Sequence, residues 1–238
     1  AVAEADIENW HVLLEKYNCV PVAHDYMLDY KRYKGSPMPI AEQIASVHND
    51  IDLGVKLGVK YIRRLVSIAP EVMVGAAPYA EEKGIMLLTE VHAPLHFDHP
   101  WIVRLAEAFT KSGSPALGFL PDMGMFLHAY PPVWRAKFER LGVPKHIADY
   151  IVKAYEDRVL SEYVILEVQQ MGGTGPAIAM AEVMRHNAAF EPSRMLDYMP
   201  MIRNIHGKFY EMTADYVEPS IPYDKIIEVL KKGGYDGY

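Results

Sequence analysis

An α/β fold built on a parallel sheet is predicted by the alternation of apolar segments along this chain. Short runs rich in β-branched residues alternate with longer segments of helical periodicity, and glycine or proline marks most of the connections. Polar or titratable residues follow nearly every predicted strand. Since functional groups in parallel barrels lie at the carboxyl ends of the strands, we expect the functional site there.

The strands and helices follow from these patterns in chain order. The predicted strands cover residues 19–23, 61–67, 85–92, 116–120 and 201–209. The predicted helices that accompany them cover residues 7–17, 40–55, 70–82, 101–111 and 223–232. The helix before the second strand shows the expected spacing, with Ile44, Val47 and Ile51 on one face.

The alternation stops between residues 131 and 200. This stretch has several helical patterns and no convincing strand. We therefore predict an elaborate helical insertion, at about residues 127–200, between the fourth and fifth strands of the chain.

Five strands are too few for a closed barrel, which needs eight. A (β/α)8 barrel truncated at both ends is the first interpretation, because the chain opens directly in a helical pattern and stops where a strand is expected. The alternative is an open, doubly wound sheet. In either case we expect one domain spanning residues 1–238.

Composition excludes several classes of protein. The formal net charge of −7 argues against nucleic acid as a partner, and the absence of a long apolar run predicts no membrane span. A single cysteine, Cys19, cannot form an internal disulfide, which fits a cytoplasmic protein.

Three strand ends supply candidate metal ligands. Glu90 ends the third strand, Asp122 follows the fourth and His206 lies in the fifth. Carboxylate oxygens with an imidazole nitrogen suit Mn²⁺, Mg²⁺, Co²⁺ or Zn²⁺. Taken singly, His206 fits a satisfied core histidine and Glu90 a buried ion pair with Lys208 or Arg64; taken together, they favour a metal site.

Three motifs carry a resemblance to a known family. The segments Leu-Thr-Glu-Val-His at 88–92, Leu-Pro-Asp-Met-Gly at 120–124 and Asn-Ile-His-Gly-Lys-Phe at 204–209 resemble the xylose-isomerase-like barrels of sugar isomerases and epimerases. Residues 218–237 are similar to that family's approach to its last strand. The similarity extends over essentially the whole chain.

The resemblance implies a ligand set and a numbering of the strands. Glu90, Asp122 and His206 would bind a divalent metal, Mn²⁺ first, from the fifth, sixth and seventh barrel strands. The helical insertion would then lie between the sixth and seventh strands. The family's fourth ligand, a glutamate of the eighth strand, is expected beyond Tyr238.

The same residues suit removal of a proton next to a sugar carbonyl. Glu90 is the candidate base, and a metal would stabilise the charge that develops. His92 is a candidate acid/base group or an orienter of the metal site, and Lys208 a candidate partner of a substrate oxygen or of a nearby carboxylate. His24 and Asn204 are the candidate substrate-binding residues.

Four functions remain in competition. The first is a metal-dependent sugar isomerase or epimerase. The helical insertion and the loop at residues 29–37 are also similar to the catalytic subunits of bacterial C-glycoside deglycosidases, carbon–carbon lyases that eliminate the aglycone from a 3-keto sugar. That resemblance implies a small β-rich partner subunit; a homo-oligomer is the other possibility. A non-catalytic sugar-binding barrel and, less favoured, an abasic-site endonuclease complete the set.

Overall fold

The computed structural model describes residues 2–64, 67–186 and 190–237, and of His186 the backbone only. The chain forms two compact units. The first comprises Ala1–Val91, Asp98–Leu120 and Pro200–Asn204, and the second His92–Phe97, Pro121–Met199 and Ile205–Tyr238. That residues 1–238 make one domain stays a prediction.

The first unit is an α/β layer around a parallel sheet, as the sequence predicts. Its strands are paired in the order β1-β2-β3-β4, and the pairing of β1 with β2 and of β2 with β3 is parallel. The strands are β1 (Ala23–Tyr26), β2 (Tyr61–Arg64), β3 (Met86–Val91) and β4 (Leu117–Pro121). The helices of this unit are α1 (Glu4–Tyr17), α2 (Ile40–Leu57), α3 (Pro70–Lys83) and α4 (Pro100–Ser112).

Apolar side chains from strands and helices form the core of this unit. Ile62, Leu87 and Phe119 are fully buried, and burying an aliphatic or aromatic side chain of this size stabilises a fold by about 1.5–3 kcal/mol. Helix α2 packs on α3, and a Cβ added at Gly75 would come within 2.5 Å of Ile44 Cδ1. The small residue therefore permits close packing of these two helices.

The first strand begins later than predicted, at residue 23 rather than 19. Helix α1 ends at Asn18, which has a φ of 51°, and the Cys19 amide still bonds back to the Leu14 carbonyl. Pro21 has no amide proton to give to a ladder. Pairing with β2 therefore starts only at Ala23. In the second predicted strand, residues 65–66 lie outside the described residues.

The predicted strand at residues 201–209 is wrong in its extent. Only two isolated parallel bridges occur there, Phe119 with Ile202 and Asp122 with His206. Phe119 and Asp122 are three residues apart, whereas their partners Ile202 and His206 are four residues apart. Residues 202–206 therefore contain one extra residue, a bulge that interrupts the ladder. Pro121 lies between the two bridges and has no amide proton to donate.

The second unit is helical, as predicted for residues 127–200. No strand occurs among its described residues between 131 and 201. Its helices are α5 (Pro132–Arg140), α6 (Lys145–Glu156), α7 (Ser161–Gln170), α8 (Gly175–Glu182) and α9 (Tyr223–Lys232), with 3-10 helices at Met123–Phe126, Val183–His186 and Pro192–Met201. Ile151, Val164 and Met180 are fully buried in it. None of the described helices has the length and apolarity that a membrane crossing would require.

Candidate metal centre

Glu90, Asp122 and His206 are brought together. Each offers one ligand atom, and these three atoms all lie within 4.8 Å of one another. Glu90 is the next-to-last residue of β3, Asp122 follows β4 directly, and His206 pairs with Asp122 through a parallel bridge. The two carboxylates are buried, 4% and 7% exposed, and His206 is half-buried.

The donor set fits a hard divalent cation. Two carboxylates and one imidazole are ligands that Mn²⁺, Mg²⁺, Co²⁺ and Zn²⁺ all accept. Buried carboxylates at this spacing repel each other, and a cation bound between them would offset that repulsion. Glu90 contacts the guanidinium of Arg63, and Asp122 lies near the ammonium of Lys208. The three side chains are therefore a group that could hold a metal ion.

Glu90 is bonded to an arginine that the sequence analysis did not single out. Arg63 Nη1 in β2 donates to Glu90 Oε2 at 2.7 Å. The same guanidinium is bidentate on Asp25 of β1, with Nε 2.8 Å from Oδ1 and Nη2 3.0 Å from Oδ2. The predicted partners of Glu90, Lys208 and Arg64, were therefore the wrong cations. Strand parity is the signal that could have separated Arg63 from its neighbour.

Arg64 points to the opposite side of the sheet. It is fully buried, and its guanidinium carbon lies 4.2 Å from the centroid of the Tyr26 ring. Burial lowers the pKa of Arg64 to about 10, because the charged form is poorly solvated there. None of its three guanidinium nitrogens has a hydrogen-bond partner within the described structure.

His24 lies on the same side of the sheet as Arg64. In the β1–β2 register His24 is opposite Ile62, whereas Asp25 is opposite Arg63. The His24 ring bonds to Asp50 of helix α2 at 3.2 Å. The structure therefore does not bring His24 to the Arg63–Glu90 pair, and its role in substrate binding stays a prediction.

Asp122 is held by its own loop. Its Oδ1 accepts the Gly124 amide at 2.7 Å, and its Oδ2 lies 3.6 Å from Lys208 Nζ. A Cβ added at Gly124 would stand 2.8 Å from Asp122 Oδ1 and 3.3 Å from Lys208 Cγ. Only glycine therefore fits between the carboxylate and the lysine without movement.

The Tyr210 hydroxyl also lies close to Gly124. Tyr210 Oη lies 3.3 Å from the point where the Gly124 Cβ would stand. Burial raises the pKa of Tyr210 to about 12, and the carboxylates of Asp122 and Glu218 act in the same direction. The hydroxyl therefore stays protonated at neutral pH and is a hydrogen-bond donor.

The remaining predicted residues have local partners. Asn204 is buried and donates from Nδ2 to the Tyr61 hydroxyl, so at least one of its amide protons is already used. His92 follows the end of β3, and its Nδ1 lies 2.7 Å from the Ala93 carbonyl oxygen. Their roles in binding and in proton transfer stay predictions.

Known proteins resemble the chain in sequence. No family model matches it. It is 29% identical over 203 residues to a C-glycoside deglycosidase alpha subunit of Microbacterium trichothecenolyticum, which covers 79% of this chain and 55% of that protein. It is 29% identical over 198 residues to a 3'-dehydrocarminate deglycosidase alpha subunit of Microbacterium sp, covering 77% and 57%. The chain thus spans little more than half the length of these two relatives.

A solved structure decides the fold. A sugar phosphate isomerase/epimerase from Parabacteroides distasonis superposes with a TM-score of 0.55 at 11% identity, covering 98% of this chain and 66% of that one. The chain has the fold of a xylose-isomerase-like barrel. This confirms the predicted fold class, and the curated relatives confirm the predicted resemblance to deglycosidase subunits. At 11% identity the superposition shows the fold alone.

Proposed function

We propose that the full-length protein is a divalent-metal-dependent enzyme that removes a proton next to the carbonyl of a keto sugar. The observation that carries this proposal is the group of three ligand atoms within 4.8 Å, from Glu90, Asp122 and His206. Two curated relatives named as deglycosidase alpha subunits favour elimination of an aglycone as the outcome.

Glu90, Asp122 and His206 would hold the cation, with Mn²⁺ as the first candidate. When bound, it supplies positive charge that stabilises the negative charge developing on the carbonyl oxygen. Lys208 lies beside Asp122 and would supply further positive charge there. Its side chain is 46% exposed, so the ammonium is accessible to a substrate oxygen.

Glu90 would take the proton. A carboxylate has about four lone-pair positions, and the Arg63 bond to Oε2 uses one of them. That bond also holds the orientation of the carboxylate. With about four lone-pair positions, a carboxylate can both ligate a cation and accept a proton from the carbon beside the carbonyl.

The elimination forms one double bond and breaks two single bonds. The proton at sugar C2 moves to Glu90, and its electron pair forms the double bond between C1 and C2. The bond from C1 to the aglycone breaks, and that electron pair leaves with the aglycone carbon, which takes up a proton. Epimerisation, the second candidate, shares the first step and returns a proton to the same carbon.

A partner subunit belongs to the same proposal. Both relatives carry the name alpha subunit. We therefore expect the full-length protein to assemble, with a small β-rich subunit as the first candidate and a homo-oligomer as the second. A cytoplasmic location is likewise retained as a prediction. Size-exclusion chromatography of the full-length protein with light scattering tests for self-association.

The test combines metal content with isotope exchange. We expect about one equivalent of Mn in the native full-length protein and loss of that metal in Glu90→Gln. Incubation with a 3-oxo-C-glucoside in D₂O should place deuterium at C2, and Glu90→Gln should slow this exchange at least about 100-fold. Glu107→Gln, an exposed glutamate of α4, is the matched control.

The products separate the candidate functions. Release of free aglycone indicates the lyase, and a sugar epimer indicates the epimerase. Metal and sugar binding without deuterium exchange would refute the proposed chemistry and favour the non-catalytic sugar-binding barrel. Unchanged metal content in Glu90→Gln would refute the assigned ligand.

A further inference from the structure

The segment that carries Lys208 also carries a second polar group beside Asp122. Tyr210 Oη and Lys208 Cγ lie equally near, at 3.3 Å, to the empty Cβ position of Gly124. Tyr210 is half-buried, and its hydroxyl has no hydrogen-bond partner within the described part of the chain. A protonated hydroxyl without a partner, next to a candidate ligand, is available to a substrate oxygen.

The Tyr210 ring is fixed by the helical insertion. Trp134 of α5 packs against it edge-on, with ring centroids 4.7 Å apart and planes at 71°. Tyr130 packs on Trp134 in turn, at 5.9 Å and 79°. Edge-to-face pairs of this kind favour one ring orientation. The insertion therefore helps to set the direction of the Tyr210 hydroxyl.

The Tyr210 backbone is anchored by a buried carboxylate. Glu218 is 7% exposed, and its Oε2 accepts the amides of Tyr210 at 2.7 Å and of Glu211 at 2.9 Å. Its Oε1 accepts the Ser220 amide at 2.8 Å. Three backbone donors on one carboxylate compensate its burial and hold the segment rigidly.

The Lys208 backbone is anchored by a single phenol. Tyr223 Oη accepts the Lys208 amide at 2.8 Å and donates to the Lys208 carbonyl oxygen at 2.7 Å. The Tyr223 ring stacks on Phe209, with centroids 5.0 Å apart and planes at 8°. Both residues beside Asp122 thus have their main chain bonded to a side chain from residues 218–223.

We propose that the Tyr210 hydroxyl binds a sugar oxygen beside Lys208, and that Glu218 and Tyr223 are positioning residues for these two side chains. The inference rests on the proposed function and names part of its substrate site. Lys208 and Tyr210 would supply two donors, one charged and one neutral, which suits recognition of neighbouring oxygens on a sugar.

The test is calorimetric binding of methyl 3-oxo-β-D-glucopyranoside to the full-length protein in MnCl₂. Tyr210→Phe keeps the ring against Trp134 and removes only the hydroxyl, so we expect about 10-fold weaker binding. Metal content and melting temperature should not change. Tyr216→Phe is the control, because that side chain is 87% exposed and its hydroxyl removal should have no effect.

Positioning is tested by a double-mutant cycle. Tyr223→Phe removes both bonds to Lys208 and keeps the ring stack, and we expect about 5-fold weaker binding. The same change in a Lys208→Met background should have no further effect, since the side chain that it positions is absent. An equal loss in that background would show a merely structural role and overturn the positioning claim.

The outcomes separate this inference from the proposed function. Native binding of the probe without deuterium exchange at its C2 would refute the chemistry, while the dissociation constants still decide the role of Tyr210. Native-like binding by Tyr210→Phe would overturn the inference even if the enzyme is active. No binding by the native, metal-loaded protein would overturn it as well.

Discussion

Replacing Arg63 by Met tests the electrostatics of the candidate site. The change removes the 2.7 Å bond to Glu90 and both bonds to Asp25 but keeps an unbranched apolar side chain of similar length. Glu90 is 5% exposed at its side chain, Arg63 23% and Asp25 62%. The substitution therefore deprives one buried and one exposed carboxylate of the same cation.

The two carboxylates should contribute very unequally. Removing one partner of a buried ion pair costs about 3–5 kcal/mol, and since Arg63 is partly exposed we expect about 3 kcal/mol. The exposed pair with Asp25 is worth at most about 1 kcal/mol. Asp25→Asn, which breaks only that second pair, is therefore the matched control and should be nearly neutral.

A bound cation should change this cost. In saturating Mn²⁺ the charge of Glu90 gains a compensating cation, so the loss of stability in Arg63→Met should fall to about 1 kcal/mol. The difference of about 2 kcal/mol must then appear as Mn²⁺ binding about 30-fold more tightly to the variant. Urea unfolding of the full-length protein with EDTA and with Mn²⁺ measures the first quantity, and calorimetry the second.

The two measurements must agree, since they close one thermodynamic cycle. Equal destabilisation in EDTA and in Mn²⁺ would show that the cation does not compensate Glu90, and would refute the reasoning. A loss in Asp25→Asn as large as that in Arg63→Met would also refute it. In that case Asp25, not Glu90, would be the energetically important partner of Arg63.

Two further predictions concern single positions. Gly124→Ala should weaken Mn²⁺ binding at least about 10-fold in calorimetry, because the new Cβ would stand 2.8 Å from Asp122 Oδ1; Gly175→Ala, with nothing within 4 Å, is its control. Arg64→Met should raise the free energy of unfolding at pH 7 by about 1–3 kcal/mol, because burial lowers the pKa of Arg64 to about 10 and the charged form is therefore unfavourable in the fold. Deprotonation relieves that penalty in the native protein, so the gain should shrink as pH rises above 10. A less stable Arg64→Met protein in urea unfolding at pH 7 would contradict this assignment.

The group of candidate ligands could be found from the sequence because parallel strands bring their carboxyl ends to one edge of the sheet. Glu90 and Asp122 each lie within two residues of a strand end, and both strands were predicted within a residue or two. The approach of His206 to Asp122 then followed from the fold, without any knowledge of the loops.

The polar partners of that group could not be found in the same way. Arg63 and Arg64 are adjacent, and only the register of β2 decides which of them faces Glu90. His24 and Asp25 present the same problem, since in the observed register His24 faces α2 and Asp25 faces Arg63. A shift of one position reverses the face of a strand residue.

The same-face prediction for Asn204, His206 and Lys208 rested on a strand that the structure interrupts. The prediction put these three side chains on one face, which requires an uninterrupted strand. The extra residue between Ile202 and His206 breaks that alternation. Asn204 nevertheless donates to Tyr61, which lies two residues before Arg63 in β2 and therefore on the side of the sheet that faces Glu90. His206 and Lys208 both lie near Asp122.

The bulge also accounts for the need for anchors farther along the chain. Beyond His206 no ladder among the described residues holds the main chain, so Lys208 and Tyr210 depend on side-chain contacts for their positions. Tyr223 and Glu218 supply those contacts through bonds to backbone groups. Glu218 follows Tyr210 by 8 residues and Tyr223 follows Lys208 by 15. Their bonds thus hold the main chain here, as strand pairing does at Glu90. Backbone bonds from a side chain depend on the path of the whole loop, and periodicity contains no signal for them.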